Sequence, residues 1–106
     1  MMKLLTEEIK RKLAKYPIYS QDDKGEEALI LCKFFNPYGD QTWYILEGDQ
    51  EGDDYYLFTL FEDCHGREYG YVMLSELQNL RVPPFRLGIE RDKYFKPCKV
   101  SELPKI

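Results

Sequence analysis

The stretch 28–47, ALILCKFFNPYGDQTWYILE, constrains the fold more than any other part of the chain. Residues 28–35 are apolar and β-compatible, and 42–47 return with β-branched and aromatic side chains. Between them, Asn36-Pro37-Tyr38-Gly39-Asp40 carries turn chemistry. Pro37 fixes its own φ, and Gly39 is free to take a positive one. The pattern predicts a β-hairpin with a longer loop, and a folding nucleus for one domain spanning 1–106.

The flanking segments read as follows. Thr6 caps a helix running to about Lys15, with Leu5, Ile9 and Leu13 as one apolar stripe. Glu7 and Glu8 begin it and Lys10, Arg11, Lys12 and Lys15 end it, which suits the helix dipole. Tyr16-Pro17 stops it. Residues 20–27 and 48–54 read as acidic connections. YYLFTLFE (55–62) and EYGYVML (68–74) read as a third and a fourth strand, joined by a turn in which Gly66 can adopt positive φ. Neither strand has a polar face: Tyr55, Leu57 and Phe61 oppose Tyr56, Phe58 and Leu60. Both faces of the sheet therefore need cover. The N-terminal helix supplies one; the C-terminal segment, a partner or a ligand must contribute to the other. Ser75 caps a short helix that Pro83-Pro84 stops. Residues 87–89 suggest an edge strand, 91–95 a helical turn and 101–106 a tail.

The expected fold class is thus α+β: an antiparallel meander of about four strands, an N-terminal helix and short C-terminal helical turns. Nine Tyr and six Phe in 106 residues supply core area and leave aromatic surface for an interface, so monomer and homodimer both stay open.

Charge narrows the partners. Residues 20–54 hold ten acids and two bases, within a chain of net charge −4. An acidic half argues against a nucleic-acid partner, which needs a dominating basic face. No run approaches the length of a membrane span, and three cysteines without a secretory signal suit reduced thiols in the cytoplasm.

The candidate chemistries are thin. Cys32, Cys64, His65 and Cys98 lack the close pairing of zinc ligands, so no metal is expected. His65 is the only histidine, and nothing ties it to a cysteine nucleophile. GDQEGDDYY matches a calcium loop in charge but not in order. No phosphate-cradling loop occurs, and no cofactor is expected. Glu47, Glu90 and Asp92 are candidate acid/base carboxylates, with Arg91 as a bidentate partner; a structural ion-pair network explains them as well.

Several segments together carry a resemblance: MKLLTEEIKRKL, IYSQ (18–21), KFF (33–35), TWYILEGD (42–49), LFTLFE (57–62), GYVMLSEL (70–77) and GIERDKYFKP (88–97). In that order the chain resembles the bacterial family known as domain of unknown function 2958. The family is small, single-domain and often encoded on plasmids and integrative elements. It has no assigned catalytic residues to carry over. Its recurrent positions fall here on Lys33, Phe34, Phe35, Trp43, Tyr44, Glu47, Gly48, Gly70, Leu77, Glu90, Arg91, Asp92 and Phe95. The turn 64–67 and the acidic loop stand outside that pattern.

These readings favour a binding module over an enzyme, with a protein or small-ligand partner and a mobile element as its context. Trp43 and neighbouring tyrosines would floor a polar patch at one sheet end, rimmed by Glu47, Glu90, Arg91 and Asp92. The alternatives are an acidic DNA mimic acting against restriction or defence, and a small carboxylate enzyme.

Overall fold

A computed structural model describes residues 3–83 and 86–105. Thr6 opens its first helix, the Oγ1 accepting the Ile9 N–H at 3.1 Å. Helix α1 (Glu7–Ala14) then buries Ile9 and Leu13 on one side. A short 3-10 turn (Gly25–Glu27) precedes strands β1 (Leu29–Ile30) and β2 (Cys32–Phe35). These two replace the one strand expected over 28–35. The chain changes partners at Leu31, whose N–H donates to the Ile45 carbonyl.

Strands β3 (Thr42–Glu51), β4 (Asp54–Asp63) and β5 (Gly66–Met73) follow, then α2 (Leu74–Asn79). The short strands β6 (Arg81–Val82), β7 (Leu87–Gly88), β8 (Glu90–Arg91) and β9 (Cys98–Lys99) and a last 3-10 turn (Val100–Glu102) complete the order. The main sheet runs β5-β4-β3-β2-β8 and is antiparallel throughout. β1 pairs with β9, and β6 with β7. Among the described residues no helix is long and apolar enough to cross a membrane.

Several expectations are corrected. The meander has a fifth strand, because Glu90 and Arg91 pair with Phe35 and Phe34 instead of starting a helical turn. The acidic loop 48–54 is mostly strand: β3 and β4 stay paired out to Glu51 and Asp54, and a turn with Gly52 at φ 60° joins them. Residues 87–88 do form a short strand, paired with β6 in a separate two-stranded sheet. Gly39 does not use a positive φ. The Asn36 side chain makes that turn, accepting the Tyr38 N–H at 2.9 Å, and a Cβ on Gly39 would meet Asn36 Nδ2 at 2.6 Å. Ser75 does not cap α2. The Asp54 carboxylate reaches over from β4 and accepts the Ser75 N–H at 3.0 Å. Pro84, half of the expected stop, and Ile106, the end of the expected tail, lie outside the described residues.

The sheet has two cores. On one face α1 and the segment before it pack Leu4, Leu5, Ile9 and Leu13 against Phe34, Ile45 and Leu57. Phe34 is wholly enclosed, and truncating such a ring to Ala costs about 3–5 kcal/mol. On the other face Tyr44, Leu46 and Leu60 meet Ala28, Ile30 and Val100, with Phe95, Cys98 and Leu103 at the margin. The C-terminal segment does cover part of the second face, beside a strap formed by residues 17–28.

Candidate functional site

β3 carries one residue more than β4 can pair. Ile45 lies opposite Thr59 and Glu47 opposite Phe58, so Leu46 forms a bulge. Strict alternation would place Glu47 with Trp43 and Ile45, against α1. The bulge turns it over, onto the face of Phe58. Gly48 takes the vacated position beneath the helix, where a Cβ would meet Leu57 Cδ2 at 2.9 Å and Leu13 Cδ2 at 3.1 Å.

Glu47 is 1% exposed. Its Oε1 accepts the Tyr19 N–H at 2.8 Å and its Oε2 the Gln21 N–H at 2.7 Å. Backbone dipoles thus compensate a desolvated carboxylate, since among the described residues no cation pairs with it. Gln21 is also buried. Its amide donates to the carbonyls of Leu29 and Leu46 and accepts the Leu29 N–H. Asp49 adds a bond from the Ile18 N–H at 3.3 Å. These contacts fasten the strap 17–28 across the sheet. They also hold Tyr19 at φ 75°, a left-handed conformation unfavourable for an aromatic residue, and the residue is 67% exposed.

Between strap and sheet lies a cleft of about 240 Å³, lined by Gln21, Asp22, Leu46, Glu47, Phe58 and Tyr69. Its aromatic wall continues along β4 and β5. Phe58 stacks on Tyr69 with centroids 5.5 Å apart, meets Tyr71 at 5.0 Å, and Tyr71 stacks on Tyr56 at 5.1 Å. Tyr69 and Tyr71 remain half exposed. Partial desolvation and then the Glu26 charge push the Tyr69 phenol up. Tyr71 is raised by desolvation first, with the carboxylates of Asp22 and Glu47 adding to it. Asp22 and Glu47 line the cleft beside Phe58 and Tyr69, and Glu26, Arg67 and Lys105 line the adjoining one at Tyr69. Ring faces beside carboxylates favour a cation.

A second cleft, of about 270 Å³, lies between α1 and β8. Lys12, Arg91, Lys93, Glu8 and Asp92 give it mixed charge. Arg91 Nη1 donates to the Leu4 carbonyl at 3.1 Å and to the Lys3 carbonyl, fixing the segment before α1. Asp92 pairs with Lys33 at 3.8 Å. Cys32 lies at the inner wall. Burial pushes its thiol up to about 12, against the pull of Lys12 and Arg91, so it is no nucleophile at neutral pH.

The five residues singled out from the sequence are not brought into one patch. Trp43 and Arg91 both lie opposite Phe34, on the α1 face, and Trp43 packs on Phe61 at 5.3 Å. Glu90 pairs with Phe35 and so shares the other face with Glu47. Glu47 lines the strap cleft, whereas Arg91 and Asp92 line the helix cleft. Sequence reasoning missed Tyr19, Gln21 and the ring ladder. The available signal was the second apolar face of β4 and β5. Among the described residues no group of three His, Cys, Asp or Glu side chains is placed to hold a metal ion.

Fold and site define a small α+β protein with a five-stranded antiparallel sheet and an acid-rimmed aromatic face. The chain belongs to the family described as Protein of unknown function (DUF2958), whose model matches residues 4–102 and so spans the strap, the ladder and both clefts. No curated protein and no solved structure matches it.

Proposed function

We propose that the protein is a binding module that recognises a positively charged partner through the strap cleft and the aromatic ladder of β4 and β5. The observation that carries this reading is the half-exposed stack Tyr56–Tyr71–Phe58–Tyr69 beside Asp22, Glu26 and Glu47. A monomer that leaves contiguous aromatic surface exposed commonly uses it for interaction. Glu47 keeps a place in the site as the residue that positions Tyr19. Trp43, Glu90, Arg91 and Asp92 serve the scaffold. The cytoplasm and a mobile element remain the proposed setting, on the resemblance and the cysteine usage alone.

The other two readings have less support. A carboxylate enzyme needs two of Glu47, Glu90 and Asp92 in one cleft, but Glu47 and Asp92 line different ones. A DNA mimic needs free surface carboxylates. Four of the ten acids in 20–54 accept backbone N–H bonds instead: Asp40 from Cys64, and Glu47, Asp49 and Asp54 from the groups given above.

Chemical-shift mapping with octalysine, octaglutamate and a short DNA duplex tests the proposal. Octalysine alone should perturb the amides of Gln21, Phe58, Tyr69 and Tyr71, and less so as salt is raised. Perturbation by octaglutamate or DNA, or octalysine shifts confined to the α1–β8 cleft, would contradict it.

A further inference from the structure

The outer edge of β5 is open. β5 ends the five-stranded sheet, so its far side pairs with no strand among the described residues. Its eight residues run against β4 from Met73 to Gly66 without a register shift, and no proline interrupts them. Long regular edges of this kind are usually shortened, bulged or covered. Tyr69 and Tyr71 stand on the ladder's face, and on the opposite face a Cβ on Gly70 would meet nothing within 4 Å.

We propose that β5 receives an extended, lysine- or arginine-bearing segment of a partner protein as a sixth strand of the sheet. The proposal rests on the cation-binding reading of the aromatic face and adds the mode and the partner. An added strand would satisfy the free backbone groups of β5, and its side chains would alternate between the two faces. Every second residue then falls beside the ladder, at the same spacing as Tyr69 and Tyr71. On that face Asp22, Glu26 and the buried Glu47 line the clefts beside Tyr69 together with Arg67 and Lys105, and because Arg67 is paired with Glu62 the balance favours basic side chains. A second copy of this chain is a poorer occupant. It would bring the same carboxylates towards their counterparts, and the one cation on that face of β5, Arg67, is already held by Glu62 at 2.6 Å.

The test uses the full chain, ¹⁵N-labelled, with acetylated and amidated (Lys-Thr)₄ as probe. Two further peptides carry N-methyl groups at every lysine or at every threonine, and (Glu-Thr)₄ is the charge control. The parent peptide should shift the Tyr69 and Tyr71 amides and slow hydrogen exchange within Gly66–Met73. One of the two methylated peptides should bind about tenfold more weakly and lose that slowing, because only one set of amides faces β5. Asp22→Lys/Glu26→Lys should weaken the parent peptide by a similar factor. Shifts at Phe58, Tyr69 and Tyr71 without slowed exchange, or equal binding of all three basic peptides, would overturn strand addition while leaving cation binding intact. Absence of any response to the basic peptides would overturn both. Equal protection by (Glu-Thr)₄ would overturn the choice of a basic segment. Protection of β5 that rises with protein concentration alone would show that a second copy is the occupant.

Discussion

Glu47 faces Phe58 across β3 and β4, on the side of the sheet away from α1, because Leu46 is one residue more than β4 can pair. That single bulge places a carboxylate where it can bind the Tyr19 and Gln21 amides, and so fixes the strap that makes the cleft. Glu47→Ala removes both acceptors and leaves the buried Gln21 N–H and the partly buried Tyr19 N–H without them. It should cost about 2–4 kcal/mol, read as a lower urea midpoint. Glu47→Gln retains one good acceptor and should cost less. Deleting Leu46 removes the bulge but leaves Glu47 next after Ile45 and so still facing Phe58; its cost should come from losing the buried Leu46 side chain and the carbonyl that Gln21 bonds.

Gly48 is the other half of the same arrangement. Gly48→Ala drives a methyl into Leu57 and Leu13, with the Tyr56 carbonyl at 3.4 Å leaving little room to retreat. Overpacking of this kind should cost about 1–3 kcal/mol. The same change at Gly70, where nothing crowds the added carbon, should leave the thermal midpoint almost unmoved.

The sequence made the elements legible: α1 follows a helical period, and β2 to β5 are apolar, β-compatible runs bounded by turn residues. The faces were less so. Alternation alone assigns Glu47 to the side of Trp43, and no local signal in TWYILEG marks the extra residue. Once that parity is lost, Glu47 and Arg91 seem to belong together although they serve opposite faces. Gln21 was hidden for a related reason. It sits in an acidic, loop-like stretch, and only its tertiary bonds to Leu29 and Leu46 show its role. β8 escaped because two paired residues are too short to carry a periodic pattern.

Asp54 gives the fold a pH dependence. Hydrogen bonds from Ser75 and Tyr55 hold its carboxyl below the ordinary 3.8. A depressed folded value stabilises the ionised form, so the contribution is complete above pH 3.8 and is lost as pH falls through the folded value. Asp54→Asn should therefore be less stable than wild type at neutral pH, with the difference closing on acidification below 3.8. A difference independent of pH would rule out the cap as its source.

Thiol reactivity should separate the three cysteines. Cys64 is exposed, but a hydrogen bond to Asp40 heads the causes that raise its thiol above the usual value. Asp40→Asn should lower it, increase the thiolate fraction and speed alkylation by iodoacetamide at neutral pH. Cys32 should be labelled only when the protein unfolds. Mass spectrometry of the labelled peptides distinguishes the sites.

The central claim is that the aromatic ladder binds cations. Its most direct test is the dissociation constant for octalysine, compared between wild type and Tyr69→Ala/Tyr71→Ala at low salt. Both rings are half exposed, so the double variant should keep the fold, checked by its amide spectrum. The account predicts affinity weaker by about tenfold or more in the variant. Equal affinities in two folded proteins would contradict it.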